Sequence, residues 1–114
     1  MEFKPSEIYL VAGVTDLRLG IDGYAHIVQT EFKLDPLTDR MFLFCNKSHN
    51  KLKILYWDKT GFWLLYKRLE KGTFKYPRQE DGAVVLSEQQ LRWLLEGLSI
   101  DQQRAFRNLD CKYC

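Results

Sequence analysis

The sequence has few of the residues and patterns that mark secreted, membrane or disulfide-rich proteins. It contains three cysteines and two histidines among 114 residues. No apolar run approaches the roughly 20 residues that span a bilayer, and residues 1–5 lack the basic start and apolar stretch of a secretion signal. Three cysteines form no even disulfide framework, which fits a reducing compartment. We therefore expect a cytoplasmic protein without membrane association.

Motifs for catalysis and cofactor binding are also missing. There is no nucleophile elbow, phosphate-cradling glycine loop or paired-histidine zinc motif. Asp16, Asp22 and Asp58 could gather around metal ions, as in two-metal nucleases, although each also suits a turn or a helix cap. Cys111 and Cys114 form a C-x-x-C pair without two further ligands at zinc-like spacing. We expect a non-enzyme that uses no cofactor and no metal, with the nuclease-like site as an alternative.

What the sequence does contain is the pattern of an ordinary folded protein. Hydrophobic residues make up 46% and charged residues 28%, which fits a single domain over residues 1–114. Local periodicity and turn residues predict six or seven elements. In order these are a strand at 8–11, a helix at 22–33, strands at 41–45, 52–57 and 62–67, a further strand at 83–86, and a second helix from 88.

Both predicted helices carry terminal signals. Asp22 is a predicted N-cap of the first helix. Ser87 and Gln90 have the spacing of a capping box before the second helix, and Gly97 lies where that helix should end. Four leucines follow the capping box at helical spacing and should pack on the core: Leu91, Leu94, Leu95 and Leu98.

Glycines mark two predicted loops among the strands. Asp58-Lys59-Thr60-Gly61 separates two strand-like runs, and Gly61 suits the left-handed position of a hairpin turn with a bulge. Gly72 lies in the loop after the later run. The elements together predict an α+β fold, an antiparallel meander of three to five strands with both helices packed on one face, in the order β-α-β-β-β-(β)-α.

Basic residues are concentrated in one part of the chain. Residues 46–78 hold nine basic side chains against two acidic ones, a charge of +7 that leaves −5 elsewhere in a chain of net charge +2. Such polarity favours a polyanion or an acidic protein as the partner. The candidate contacts are Lys47, Lys51, Lys53, Lys59, Lys67, Arg68, Lys71, Lys75 and Arg78.

Aromatic residues are interleaved with these cations. Strand alternation places Lys53 and Trp57 on one face, where charge beside a ring could neutralise phosphates and stack on bases. Stacking contributes about 1–3 kcal/mol per base in single-strand binders. In the alternative interpretation the lysines only solvate the surface and the rings form the core. The rings concerned are Trp57, Phe62, Trp63, Tyr66 and Phe74.

Three motifs follow one another in a specific order. They are Asp16-Leu17-Arg18-Leu19-Gly20-Ile21-Asp22-Gly23, Lys53-Ile54-Leu55-Tyr56-Trp57-Asp58-Lys59-Thr60-Gly61-Phe62, and Tyr66-Lys67-Arg68-Leu69-Glu70-Lys71-Gly72-Thr73-Phe74. The succession resembles the small accessory protein of insertion sequences of the IS66 type, usually called TnpB or the second-open-reading-frame protein and distinct from the RNA-guided nuclease of that name. The resemblance covers residues 8–98 and leaves 99–114 as a tail.

The resemblance implies a bacterial protein encoded in a transposable element beside a DDE-type transposase, which itself performs the strand exchange of DNA recombination. We expect a non-catalytic accessory protein for transposition that binds DNA, including the element ends, through its basic face. The alternative is a protein–protein adaptor for the transposase. Relatives commonly carry an arginine pair in the loop where this chain has Cys45-Asn46-Lys47-Ser48, and often an arginine at Thr73. Phosphate contacts here would therefore be fewer, or would be carried by Lys67, Arg68, Lys71 and Lys75.

Two acidic motif residues have competing interpretations. Arg18 could project as a docking or phosphate-binding group while Asp16 caps the local backbone, or the two could form an internal pair that pins the turn to the meander. Asp58 could open a turn or accept a hydrogen bond from a partner. A DNA binder should lose affinity steeply with salt, and changing Lys67 and Arg68 to alanine should make that dependence shallower. Exposed strand edges would also permit a homo-oligomer.

Overall fold

A computed structural model of the protein describes residues 3–13, 15–76 and 82–100. This part of the chain forms five strands and two helices, and the α+β class is confirmed. The elements are β1 (Glu7–Val11), α1 (Ile21–Glu31), β2 (Arg40–Cys45), β3 (Lys51–Trp57), β4 (Phe62–Arg68), β5 (Ala83–Leu86) and α2 (Glu88–Leu95). In the described residues no helix has the length and apolarity needed to cross a bilayer.

The strands form one mixed sheet in the order β4-β3-β2-β1-β5. β1 runs parallel to β2, with Tyr9 opposite Phe42, while every other neighbouring pair is antiparallel. Parallel neighbours need a long crossover, and the segment that contains α1 supplies it. The prediction of a wholly antiparallel meander is therefore wrong, because the hydrophobic pattern of a strand does not encode its direction.

The two helices lie on opposite faces of the sheet, so the prediction that both cover one face is also wrong. Tyr24 of α1 packs with Phe44, whereas Leu94 of α2 belongs to the cluster that contains Leu43. The five residues 41–45 of β2 are all buried. A central strand that is apolar at every position must be covered on both sides, and a helix on each face supplies that cover.

Helix α1 begins without a side-chain cap. Its N-cap is Gly20, and Asp22 lies in the first turn instead of capping it. The predicted capping role of Asp22 is therefore wrong. A carboxylate in the first turn still interacts favourably with the positive end of the helix dipole.

Helix α2 begins and ends as its local sequence predicts. Ser87 accepts a hydrogen bond from the Gln90 backbone, and the Gln90 side chain bonds back to the Ser87 N–H, which completes the capping box. Gly97, with φ 81°, ends the helix in a Schellman motif, since Leu98 N–H donates to Trp93 O at 2.8 Å. The motif turns Leu98 out, leaving it 40% exposed, so it does not extend the predicted leucine stripe.

The turn between β3 and β4 is organised by Asp58. Its carboxylate accepts hydrogen bonds from the backbone N–H groups of Thr60 and Gly61, both at 3.2 Å, and from the Trp63 indole at 2.6 Å. The left-handed residue is Lys59, with φ 85°, and Gly61 has a negative φ. The predicted left-handed role of Gly61 is therefore wrong, because the side-chain bonds of Asp58 shift the turn by two residues.

The segment after β4 returns across the face that α2 covers. Gly72 reverses the chain with φ 77°, after which Phe74 and Tyr76 are buried in the same cluster as Leu43. The Tyr76 hydroxyl lies 2.6 Å from Val11 O and 3.0 Å from Leu43 O, so it bonds to two adjacent strands. The segment thus completes the cover that α2 alone does not provide.

Replacing Leu94 with alanine should lower the free energy of unfolding by about 2–5 kcal/mol, because it leaves a cavity at a fully buried position. Leu98→Ala removes the same atoms from an exposed site and should change stability by less than about 1 kcal/mol. Urea unfolding followed by circular dichroism measures both. Equal losses would contradict the end of α2 at Leu95.

Gly72→Ala should cost about 1–2 kcal/mol of stability, because a Cβ atom at φ 77° is strained even though it meets no neighbour. Gly61→Ala should leave stability within about 0.5 kcal/mol, since its φ is negative and its surroundings are open. Thermal unfolding of the two variants in parallel provides the measurement. A larger loss for Gly61→Ala would contradict the turn described above.

Candidate nucleic-acid interface

Helix α1 covers only part of its face of the sheet. On the uncovered part, strands β3 and β4 expose a cationic surface. Lys51 lies opposite Arg68 in the register, and Lys53 lies opposite Tyr66. Residues that are directly opposite in a sheet share a face, so these four side chains are neighbours. The rest of this face, toward the β3–β4 turn, is apolar and packs against α1.

A groove of about 580 Å³ lies between this surface and the loop that precedes α1. Three cationic side chains and one tyrosine line it, and no carboxylate does. The lining residues are Leu17, Arg18, Asn46, Lys51, Lys53, Leu64 and Tyr66. The structure therefore brings together three of the predicted contact residues, with an aromatic ring among them.

Three hydrogen bonds hold the loop at residues 15–20, one from α1 and two with the sheet. The Tyr24 hydroxyl donates to Asp16 O at 2.9 Å, and Thr15 N–H donates to Cys45 O at 3.0 Å. The Lys53 ammonium reaches Leu19 O at 3.3 Å. Burial raises the pKa of Tyr24 to about 12, so its hydroxyl keeps the proton that it donates. One wall of the groove is consequently fixed by the helix and by β3.

Arg18 and Asp16 form a two-point ion pair within this loop. Arg18 Nε lies 3.0 Å from Asp16 Oδ1, Nη2 lies 3.0 Å from Oδ2, and the Arg18 backbone N–H also donates to Oδ1 at 2.9 Å. These bonds lower the pKa of Asp16 to about 2. The Arg18 side chain is nonetheless 91% exposed. Both partners belong to the loop itself, and the pair leaves the outer side of the guanidinium toward solvent.

Lys53 occupies a different position from the other lysines. Its ammonium lies 5.8 Å from the centroid of the Tyr24 ring and 5.9 Å from that of Tyr66, within the range of cation–π attraction. It is half-buried and holds the loop, while Tyr66 is 54% exposed beside it. Of the aromatic residues considered as core, Tyr66 is thus on the surface, whereas Phe74 is buried.

Several other predicted cations lie on two loops at one end of the sheet. Leu69 N–H donates to Asn50 O at 2.8 Å and Phe74 N–H to His49 O at 2.6 Å, so the segment after β4 lies against the β2–β3 loop. The exposed cations on these two loops are Lys47, Lys71 and Lys75.

The remaining predicted contacts are placed elsewhere. Lys67 is on the α2 face and donates to Leu95 O at 2.6 Å, where a cation satisfies the end of the helix. Arg68 shares the groove face but bonds to Glu70 at 2.8 Å, and Lys59 lies in the turn at the opposite end of β3. Changing Lys67 to alanine would therefore remove a hydrogen bond at the end of α2 as well as a positive charge. Arg78, Cys111 and Cys114 lie outside the described residues.

The motif residues of the β3–β4 turn are engaged within the protein. Trp57 packs edge-on against Phe62 with 5.0 Å between ring centroids. The Asp58 carboxylate is occupied by Trp63, Thr60 and Gly61, and these bonds lower the pKa of Asp58 below 3.8. This geometry supports the interpretation of Asp58 as a turn residue.

The carboxylates proposed for a nuclease-like site have separate roles. Asp16 is bonded to Arg18, Asp22 is in the first turn of α1, and Asp58 is in the β3–β4 turn. Within residues 3–13, 15–76 and 82–100, no group of three or more histidine, cysteine, aspartate or glutamate side chains could hold a metal ion.

Two residues that support the groove were missed in the sequence. Tyr24 fits an apolar helix position, and nothing local in the sequence shows that its hydroxyl bonds outside the helix. Asn46 organises the β2–β3 loop, since its Oδ1 accepts from the N–H groups of Asn50 and Lys51 at 3.1 and 3.0 Å. An asparagine directly after a strand is a signal for such a turn.

The fold and the groove define a small α+β protein with a cationic, aromatic surface. The chain belongs to the family described as IS66 Orf2 like protein, which it matches over residues 6–105. The match is slightly longer than the predicted 8–98. Membership indicates an accessory role in the transposition of an insertion sequence.

Two relatives from Sinorhizobium fredii (strain NBRC 101917 / NGR234) are similar along most of their length. The uncharacterized protein y4hO is 38% identical over 91 residues, which cover 80% of this chain and 79% of the relative. The uncharacterized protein y4jC is 35% identical over 83 residues, which cover 73% and 71%. No solved structure matches the chain with significance.

Changing Arg18 to alanine should raise the pKa of Asp16 from about 2 toward its ordinary 3.8, because the guanidinium bonds are the main cause of the shift. In the native protein the pair stabilises the fold above about pH 4, and the contribution is lost as the pH falls through 2. NMR titration of the Asp16 carboxyl measures the pKa change, and unfolding at several pH values measures the loss of stability.

Asp58 is the internal control for this titration, because its pKa is lowered chiefly by Trp63 and by other bonds that do not involve Arg18. Its titration should not move in Arg18→Ala. An unchanged Asp16 midpoint would contradict the two-point pair.

Proposed function

We propose that this protein is a non-catalytic accessory factor for transposition that binds nucleic acid in the basic groove and assists the element's DDE-type transposase. The observation that carries the proposal is the groove itself, whose lining includes Arg18, Lys51, Lys53 and an exposed tyrosine, with Asp16 paired to Arg18 at its wall. A concave cationic surface concentrates a polyanion by its field as well as by direct contact.

Lys51 in the groove and the exposed lysines of the two neighbouring loops are available to an external anion. No described residue forms an ion pair with Lys47, Lys51, Lys71 or Lys75. Each lysine that neutralises a phosphate releases condensed counterions, which makes binding favourable at low salt and weaker at high salt. The element ends are the proposed target, since the protein would act there beside the transposase that cuts and joins them.

A second candidate, an adaptor for the transposase, is favoured by one observation. Strand β5 is an edge of the sheet, and its Val85 is 56% exposed. An uncharged edge strand can accept a strand from another chain. In that case the complex with the transposase would tolerate salt, and free DNA would not bind.

Lys51→Gln should weaken DNA binding and make its salt dependence shallower, because it removes one phosphate contact from the groove. The slope of log affinity against log salt should fall by about 0.7–0.9 per contact. Fluorescence anisotropy of labelled duplex and single-stranded terminal-repeat DNA, titrated with the full-length protein at several salt concentrations, gives this slope.

Lys59→Gln is the matched control, since it removes the same charge at the opposite end of β3. It should retain the native slope. Equal effects of the two variants would show nonspecific attraction instead of a site in the groove, and absence of binding at low salt would favour the adaptor.

A further inference from the structure

We infer that the groove takes an unpaired nucleotide of single-stranded nucleic acid, whose base stacks on Tyr66 while adjacent phosphates meet Lys51 and Arg18. The inference rests on the proposed function and adds the form of the ligand. Tyr66, which is uncharged and so is not indicated by the charge pattern, would then determine the affinity for the single strand.

The shape of the surface argues against a duplex. Proteins that read duplex DNA insert a protruding helix or β-ribbon into a groove of the DNA. Here α1 packs against the sheet through Tyr24 and Val28, both fully buried, and the cations line a concavity. A volume of about 580 Å³ falls among sites for small organic molecules, which span about 300–1,000 Å³, so the groove can admit a single nucleotide.

Tyr66 has the surroundings of a stacking platform. It is 54% exposed, although large aromatic side chains of a small protein are usually packed. The Lys53 ammonium lies 5.9 Å from its ring centroid, which restrains the ring before any ligand arrives. Its hydroxyl donates to no described residue. A base has a π-face whatever its identity, and stacking on such a ring tolerates any sequence.

Cations are placed on both sides of this ring. Lys51 is the next residue of β3 after Lys53 on this face of the sheet, and Arg18 lies on the opposite wall of the groove. Asp16 fixes the Arg18 guanidinium through Nε and Nη2, which leaves its other N–H groups for an anion. A strand whose base enters the groove would thus meet the Lys51 ammonium on one side and the free N–H groups of the Arg18–Asp16 pair on the other.

Tyr66→Ala should weaken single-strand binding about 5- to 100-fold, the usual effect of removing a stacking ring. The probe is an oligothymidylate with one central 2-aminopurine, whose fluorescence falls when the base stacks. Anisotropy gives the affinity and 2-aminopurine intensity reports the stack. The native protein should bind this strand more tightly than its duplex and quench the probe.

Two matched variants separate stacking from folding. Tyr66→Phe retains the ring and should bind and quench within about twofold of the native protein. Tyr66→Leu retains apolar packing without the ring, and it should lose affinity and quenching as Tyr66→Ala does. Circular dichroism verifies that all three fold. An RNA strand of the same sequence tests whether the groove takes single-stranded RNA as well as single-stranded DNA. Tyr66-dependent binding of either one supports the site.

The outcomes also separate this inference from the proposed function. Full affinity and quenching in Tyr66→Ala, or tighter binding of the duplex than of the single strand, would overturn the inference, while a Lys51-dependent salt slope would still support nucleic-acid binding in the groove. Absence of binding to both strand forms would overturn both.

Discussion

Burial of strand β2 on both faces is the constraint on which the rest of the structure depends. Phe42 and Phe44 point to one side and Leu43 to the other, and none of the three exceeds 1% exposure. The sheet therefore needs cover on each face. The crossover through α1 covers one face and forces β1 and β2 to run parallel, while α2 and the segment around Tyr76 cover the other.

The groove exists because α1 covers only part of its face of the sheet. The helix packs on the apolar half of β3 and β4, toward their shared turn, and beyond it the same face carries lysine and tyrosine instead of leucine. Tyr24 connects the two regions, since its ring packs with Phe44 while its hydroxyl holds the loop that bears Arg18. Core packing and the position of the groove wall are thus coupled through one side chain.

The basic segment shows how far the candidate site could be predicted. Its excess of positive charge is visible in the sequence, but the pleat sends Lys53 and Lys67 to opposite faces, where one restrains a loop and the other ends a helix. Arg18, distant in sequence, joins Lys51 in the groove. Composition gives the total charge, whereas strand pairing decides which charges act together.

By itself the sequence determined what depends on near neighbours: the type and approximate bounds of each element, the capping box of Ser87, the end of α2 at Gly97, and the motifs of the family. The tertiary structure decided the parallel pairing of β1 with β2, the placement of the helices on two faces, and the exposure of Tyr66. Hydrogen bonds and periodicity within a few residues fix the first group. The second group depends on contacts between residues far apart in the chain, whose partners no local pattern specifies.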